Sequence, residues 1–171
     1  MEIGLEKTGQ IGGVRIHPQD HNTVYVAAIG KAFQSNPERG VYKTTDGGKN
    51  WKKVLFISDK TGVSDLEFLP SNPNILFAAA WKAERKPWTI MSGGKEGGIY
   101  KSTDGGDTWA VIRPCCPSGN LLAIDPHVPS HVYLGGWGYI AETPDGGQTW
   151  RELSNGIPSE DKGKIGLAVS P

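Results

Sequence analysis

The chain has 171 residues, a length that suits one domain with a substantial core. Its 18 basic and 18 acidic side chains cancel and form no blocks of one sign, which argues against nucleic acid or an anionic membrane as a partner. No apolar run approaches the roughly 18 residues of a membrane-spanning helix. The 24 glycines and 12 prolines stand between apolar stretches, where they indicate turns.

The two cysteines, Cys115 and Cys116, are adjacent, so a framework of several disulfides is excluded. A strained vicinal disulfide and a pair of reduced thiols both stay open. The first residues lack the basic and apolar regions of a signal peptide. None of these features assigns the chain to a compartment.

One unit repeats along the chain, with a period of about 40 to 58 residues that is typical of propeller blades. Its first strand ends in a proline, where a missing donor stops pairing. These prolines are Pro18, Pro70, Pro126 and Pro171. After the first three, a polar turn and an apolar run predict a second strand that is buried on both faces.

The third and fourth strands of each unit are joined by Asp-Gly-Gly, a strong hairpin signal because Asp and Gly tolerate positive φ. No stretch has a helical apolar period of useful length. We therefore predict an all-β chain, 1–171, of four-stranded antiparallel β-propeller blades. The predicted blades span 12–57, 64–112 and 120–153, and strands of partial blades are expected at 1–8 and 164–171.

The pattern Ser/Thr-x-Asp-x-Gly-x-Thr-Trp occurs three times in register. Its copies contain Asp46, Gly48 and Trp51, then Asp104, Gly106 and Trp109, and then Asp145, Gly147 and Trp150. Asn50 replaces the threonine in the first copy, and Pro144 is unusual in the third.

This pattern closely resembles the Asp-box (BNR) repeat of sialidase-like, sortilin-like, xyloglucan-degrading and photosystem-II-assembly propellers. The stretch from Gly9 to Trp109 is most similar to uncharacterised bacterial BNR-repeat proteins of the glycosyl-hydrolase-like kind. The resemblance covers nearly the whole chain and implies the propeller fold.

The box has a local physical explanation. A short carboxylate at a hairpin corner accepts hydrogen bonds from the amides of its own turn, and the tryptophan supplies an apolar plug. Three aspartates in chemically equal settings cannot all be the catalytic one, and in the resembling families the box lies away from the active site. We expect Asp46, Asp104 and Asp145 to be structural.

Two insertions interrupt the repeat between second and third strands, at Gly30–Arg39 and Lys82–Gly97. In the second insertion, Trp88 with Arg85 and Lys86 has the chemistry to stack on and hydrogen-bond a sugar or an acidic peptide. The alternative is a solvated loop in which Trp88 covers a neighbouring blade.

The third unit lacks this insertion and makes a near-direct hairpin instead. Its Trp137 and Tyr139 form a weaker candidate stacking pair for a ligand, and packing within the blade is the alternative.

A glycosidase needs two carboxylates roughly 5 to 9.5 Å apart. Asp65 is the leading candidate because an acid occurs at its position in one blade only. Glu67 and Asp125, on the same type of strand, are candidate partners, and capping or solvated acids are the alternative. The equivalents of Asp65 are Gly13, Leu121 and Gly166.

Other chemistries find little support. Arg15, the one arginine on a first strand, occupies a variable position of the repeat, which argues against the arginine triad of a sialidase. The four histidines lie in or beside turns and lack the spacing of a zinc site. They are His17, His21, His127 and His131. We predict neither a metal nor a cofactor.

Closed propellers use about four to eight blades, yet three boxes are present. Unpaired blades would expose apolar faces and strand edges. We therefore expect either a piece of a longer propeller or a homodimer in which two three-blade halves close a six-blade ring.

The favoured functional hypothesis is a non-catalytic binding or scaffold propeller that presents loops to a glycan or protein partner. The alternatives are a polysaccharide-hydrolysing fragment or half-site, and sortilin-like peptide binding. The resemblance implies a secreted or periplasmic protein.

Overall fold

The structure is a computed structural model that describes residues 4–116, 121–157, 160, 163 and 165–170. The side chains of Cys115 and Cys116 lie outside the described part. Within these ranges the secondary structure is all strand and turn, which confirms the all-β prediction. No helix in the described residues is long and apolar enough to cross a membrane.

Three antiparallel sheets follow one another along the chain. The first contains β1 (Gln10–Ile16), β2 (Val24–Gly30), β3 (Gly40–Thr44) and β4 (Lys52–Leu55). The second contains β5 (Thr61–Leu69), β6 (Asn72–Lys86), β7 (Thr89–Ser92), β8 (Gly94–Ser102) and β9 (Ala110–Cys116). The third contains β10 (Leu121–Ile124), β11 (Val132–Gly135), β12 (Ile140–Thr143) and β13 (Arg151–Leu153).

Each sheet is a blade whose strands, β7 aside, pair in chain order, and we call the first strand the inner strand because the first strands of adjacent blades contact one another. The second blade differs from the four-stranded prediction because the insertion Lys82–Gly97 is not a loop. β6 continues to Lys86, and β7 returns along it with Ala83 paired to Ser92 and Lys86 paired to Thr89. The insertion is therefore a projecting hairpin, held by main-chain hydrogen bonds.

The chain ends pack on the outer blades without forming strands in residues 4–8 and 165–170, where partial-blade strands were expected. Leu5 contacts an apolar cluster on the first blade. Leu167 lies so close to Gly135 that a β-carbon there would be 2.9 Å from Leu167 Cγ. Residues 1–3, 164 and 171 of the predicted strands lie outside the described part.

Two apolar layers join the blades. Leu66 and Leu76 of the second blade pack against Tyr25 and Val41 of the first. On its other face, Phe77 and Ile99 contact the third blade, where Leu122, Val132 and Leu134 complete the layer. The apolar second strand of the second blade is buried on both faces because the first and third blades cover it.

The register places two sets of connections at opposite ends of the blades. Gly30 pairs with Gln10 at the end that carries the loop 31–39, which we call the loop end. Val24 pairs with Thr44 at the other end, where the Asp-Gly-Gly turn begins, which we call the box end. The projecting β6–β7 hairpin extends from the loop end of the second blade.

Candidate functional site

The three aspartates at the box end are engaged within their own turns. Asp104 accepts hydrogen bonds from Ser102 Oγ at 2.8 Å, from the Thr108 N–H at 2.9 Å and from Thr108 Oγ1 at 2.5 Å. These bonds, foremost that from the Thr108 hydroxyl, lower the pKa of Asp104 to about 2. Asp46 and Asp145 accept the equivalent bonds. This saturation favours a structural role.

Asn50 takes the place of the missing threonine in the first box. Its Nδ2 donates to Asp46 Oδ2 at 2.6 Å, as the hydroxyl of Thr149 does to Asp145 Oδ2 at 2.5 Å. The departure from the repeat pattern therefore preserves the hydrogen bond. Pro144 is accommodated as well, because the Gly147 N–H still donates to Thr143 Oγ1 at 2.8 Å.

The glycines and tryptophans of the boxes complete the turns. The N–H groups of Gly48 and Gly106 donate to the hydroxyls at the start of their boxes, at 3.0 and 2.8 Å. Trp109 donates from Nε1 to the Gly106 carbonyl at 3.0 Å and packs against the layer between the first two blades. Trp51 and Trp150 pack against other apolar clusters.

Lysines that the sequence analysis did not select link the second and third boxes to the preceding blade. Lys43 Nζ donates to the Gly105 carbonyl at 2.8 Å, and Lys101 Nζ donates to the Gly146 carbonyl at 2.7 Å. Each lysine directly precedes a box, so the repeat itself contained this signal. The third unit has Glu142 at this position, paired with Arg151.

Asp65 and Glu67 are brought together on the inner strand β5, and Arg15 from β1 lies between them. Arg15 Nε donates to Glu67 Oε2 at 3.0 Å, and its Nη2 contacts both Glu67 Oε1 and Asp65 Oδ1, the latter at 3.4 Å. The guanidinium therefore occupies the space that a sugar would need between the two carboxylates.

Asp65 also joins the second blade to the third. It is 7% exposed, and its Oδ2 accepts a hydrogen bond from the Leu122 N–H on β10 at 2.9 Å. Burial raises the pKa of Asp65, while the N–H groups of Leu122 and Leu66 lower it in part. An acid at this position in one blade only is therefore explained by the contact that it makes between the second and third blades.

Asp125 is not brought to this cluster. It lies after β10 at the box end, where its Oδ1 accepts the N–H groups of His127 at 2.8 Å and Val128 at 3.0 Å. These bonds, foremost that from Val128, lower the pKa of Asp125. Asp125 therefore caps a turn, which is the alternative to a catalytic role given in the sequence analysis.

At the loop end, a buried arginine shapes the first insertion. Arg39 is fully buried and donates to the carbonyls of Ile29 at 2.8 Å, Lys31 at 2.7 Å and Gln34 at 3.4 Å. Burial lowers the pKa of Arg39. The loop backbone is therefore wrapped around the guanidinium of Arg39 and hydrogen-bonded to it. Phe33, at the tip of this loop, is 76% exposed.

The two insertions meet and enclose a groove. The Arg85 N–H donates to the Ala32 carbonyl at 2.7 Å, which ties the hairpin of the second blade to the loop of the first. The Phe33 groove, as we name it, has a volume of about 180 Å³. Its lining residues are Gln10, Ile29, Ala32, Phe33, Trp81, Ala83, Arg85, Ile90, Met91 and Ser92.

Of the residues predicted to bind a ligand, Arg85 lies in this groove. Lys86 points to the other face of β6 and pairs with buried Glu84 at 3.3 Å. Trp88 is 79% exposed at the tip of the hairpin. In the third blade Trp137 is exposed, whereas Tyr139 turns inward against the apolar layer.

Sequence reasoning found both insertions but missed Phe33, Trp81 and Ile90 as lining residues. Their signal was an unusual number of large apolar residues in and beside insertions. Across the described ranges, no three His, Cys, Asp or Glu side chains converge as metal ligands would.

Comparison with solved structures identifies the architecture. An ancestral GH74 enzyme superposes with a TM-score of 0.66 at 18% identity, over 86% of this chain and 19% of that one. The fold is a β-propeller. A structure of YCF48 bound to D1 peptide superposes with a TM-score of 0.55 at 17% identity, over 87% of this chain and 41% of that one.

Sequence comparison finds the same two kinds of propeller protein. The chain is 33% identical over 132 residues to a probable oligoxyloglucan-reducing end-specific xyloglucanase of Neosartorya fischeri, covering 72% of this chain and 15% of the relative. It is 26% identical over 161 residues to the photosystem II assembly lipoprotein Ycf48 of Nostoc, covering 77% and 48%. The chain thus spans less than half of either relative. No family model matches it.

Proposed function

We propose that the chain is a non-catalytic binding or scaffold propeller whose loop end presents a surface to a glycan or protein partner. The observation that carries this proposal is the state of the inner-strand acids. Asp65 and Glu67 share the guanidinium of Arg15, and Asp65 also accepts the Leu122 N–H. Neither carboxylate is free to act as a general acid or nucleophile without first breaking bonds between blades.

A hydrolysis screen tests this proposal. The purified chain is incubated with xyloglucan, mixed-linkage glucan and their oligosaccharides, and reducing ends are measured. We expect no release above that of an Asp65→Asn, Glu67→Gln double variant. Release that the double variant loses, while its unfolding transition is retained, would instead establish hydrolysis.

Polysaccharide hydrolysis is the second candidate because of the 33% identity to the xyloglucanase. In this role Asp65 and Glu67 would be the carboxylate pair, and Arg15 would have to move aside on binding. The shared chain length is 15% of that relative, so the chain could supply only part of such a site.

Peptide binding is the third candidate. Its support is the solved structure of YCF48 bound to D1 peptide, together with the apolar groove at the loop end of this chain. The boxes would then be structural Asp boxes, as their saturated carboxylates favour.

Self-association belongs to the same proposal. Val14 and Ile16 on the inner strand of the first blade are 51% and 57% exposed. A blade from a second copy, or from a longer chain of the same kind, would cover them. Light scattering on a size-exclusion column tests the homodimer: twice the chain mass supports a six-blade ring, and a compact monomer contradicts it.

We further propose a location outside the cytoplasm. One relative is named a lipoprotein, and the resemblance to secreted propellers agrees with this. Fractionation of the cells that naturally produce the protein, followed by immunodetection, tests the location.

A further inference from the structure

We infer that the Phe33 groove binds an extended peptide that carries a bulky apolar side chain beside acidic residues. This inference rests on the binding function proposed above and specifies its ligand and its site. It depends on four features of the groove: its apolar walls, its charge, its few polar partners and the hydrogen bonds that hold its insertions in place.

The walls of the groove expose large apolar side chains. Phe33 on the loop of the first blade and Ile90 on the hairpin of the second both line the groove, and their exposed fractions are 76% and 72%. Trp81 and Met91 form more deeply placed, half-buried parts of the lining. Contiguous exposed apolar surface on a folded protein marks a binding site more often than single exposed residues do.

A second hollow adjoins the groove and extends the site. It has a volume of about 310 Å³ and shares Gln10, Ala32 and Phe33 with the groove, so Phe33 stands between the two. A ligand that fills both hollows must be elongated. An extended peptide meets this need, with side chains directed alternately into the surface.

Every charged side chain that lines the two hollows, in the part of the chain that the structure describes, is a cation. Arg85 lies in the groove and Lys31 in the adjoining hollow. Among the described residues no carboxylate forms a salt bridge with either one. The acid next to Arg85 in the sequence, Glu84, is buried and paired with Lys86. Charge complementarity therefore favours a ligand with carboxylates near its apolar group.

The lining favours a peptide over a glycan. Phe33 and Trp81 could stack on a sugar or on an apolar side chain, but Ile29, Ala32, Ile90 and Met91 add aliphatic surface that suits an apolar side chain. Among the described lining residues, Gln10, Ser92, Arg85 and the indole N–H of Trp81, which already donates to Ser92 Oγ, are the polar groups, too few for the many hydroxyls of a buried sugar. An apolar side chain needs no such partners.

Hydrogen bonds hold both insertions of the site in place. Buried Arg39 fixes the loop that carries Phe33 through three carbonyls, and the hydrogen bond from the Arg85 N–H to the Ala32 carbonyl fixes the hairpin against it. Preorganisation lowers the entropic cost of binding.

An array of nonapeptides tests the inference with the full chain as the labelled probe. Each peptide has Leu, Phe or Trp at its centre, flanked by Asp and Glu, by Ser, or by Lys. We expect binding to acidic peptides to exceed binding to their lysine counterparts by at least about tenfold. Replacing the central residue by Ala should abolish it.

Variants then locate the site. Arg85→Glu and Phe33→Ala should each weaken binding to the best acidic peptide by at least about tenfold. Lys95→Glu, an exposed charge reversal on the same insertion but outside the groove, should change it by less than about twofold. All three residues are exposed, so thermal unfolding should show the wild-type transition.

The outcomes separate the inference from the function on which it rests. Acidic-peptide binding that survives Arg85→Glu and Phe33→Ala would overturn the groove assignment and leave a binding function. Binding in a parallel glycan array, lost in the same two variants, would overturn the peptide class. Binding to neither array would contradict both the inference and the proposed function.

Discussion

Oδ2 of Asp65 on the second blade accepts a hydrogen bond from the backbone N–H of Leu122 on the third, with 2.9 Å between the atoms. The bond links two inner strands that share no sheet. It lies where Asp65 is 7% exposed, so water cannot readily replace it. An acid that occurs once among the repeats thus serves the contact between two blades.

Replacing Asp65 by Ala should lower the free energy of unfolding by about 1–3 kcal/mol, because the Leu122 N–H loses its acceptor in a buried place. Asp65→Asn keeps a side-chain oxygen and should retain part of this stability. Urea unfolding followed by tryptophan fluorescence measures both. An Asp65→Ala protein as stable as the wild type would show that the bond contributes nothing.

The boxes should make the protein sensitive to acid. The pKa of Asp104 is about 2 in the folded chain, below the ordinary carboxyl value of about 3.9, so its stabilising contribution is present above pH 4 and is lost as the pH falls towards 2. Thermal unfolding at intervals from pH 5 to pH 2 should show a steeper loss for the wild type than for Asp104→Asn. Parallel curves would contradict the assignment.

The pKa of Asp65 is shifted in the opposite direction from that of Asp104, so Asp65 serves as the internal control for that experiment. Its pKa is raised by burial, so the pH-dependent part of its contribution to stability is present below the ordinary carboxyl pKa and is lost as the pH rises through the raised value. Asp65→Asn should therefore leave the acid limb in place.

Arg39 should control the order of the loop that carries Phe33. Arg39→Met keeps an apolar stem but leaves the carbonyls of Ile29, Lys31 and Gln34 without their donors. Amide exchange in residues 31–36 should rise by about tenfold or more, since each lost bond is about 1 kcal/mol, with little change in β2 and β3. Lys95→Met is the control; equal exchange in both variants would contradict the role of Arg39.

Gly12 should not tolerate a side chain. A β-carbon at this position would lie 2.4 Å from the Ser64 carbonyl oxygen, because the inner strands β1 and β5 approach closely there. Gly12→Ala should lower the free energy of unfolding by about 1–3 kcal/mol. Gly166→Ala, where no atom of the described residues other than its chain neighbours lies within 4 Å of the added carbon, should have little effect. Equal results in urea unfolding would show that the strands separate at little cost.

The sequence alone determined the features that depend on neighbouring residues. The box turns and the order of the four repeating strands in each blade were predictable, because Asp104 and Thr108 meet through a hairpin only four positions long, whereas β7 of the second blade was not predicted. The all-β class followed for the same reason. Even where Asn50 replaces the threonine of the box, its side chain donates the equivalent hydrogen bond to Asp46 within the same turn.

The tertiary structure decided everything that depends on two blades at once. Arg15 and Glu67 are 52 positions apart, and Asp65 and Leu122 are 57 apart, so no local pattern announces their contacts. Phe33 and Ile90 likewise come from different insertions and share a groove because adjacent blades bring their loop ends together. Repeat spacing specifies the blades, whereas the side chains that meet between them depend on packing over long sequence distances.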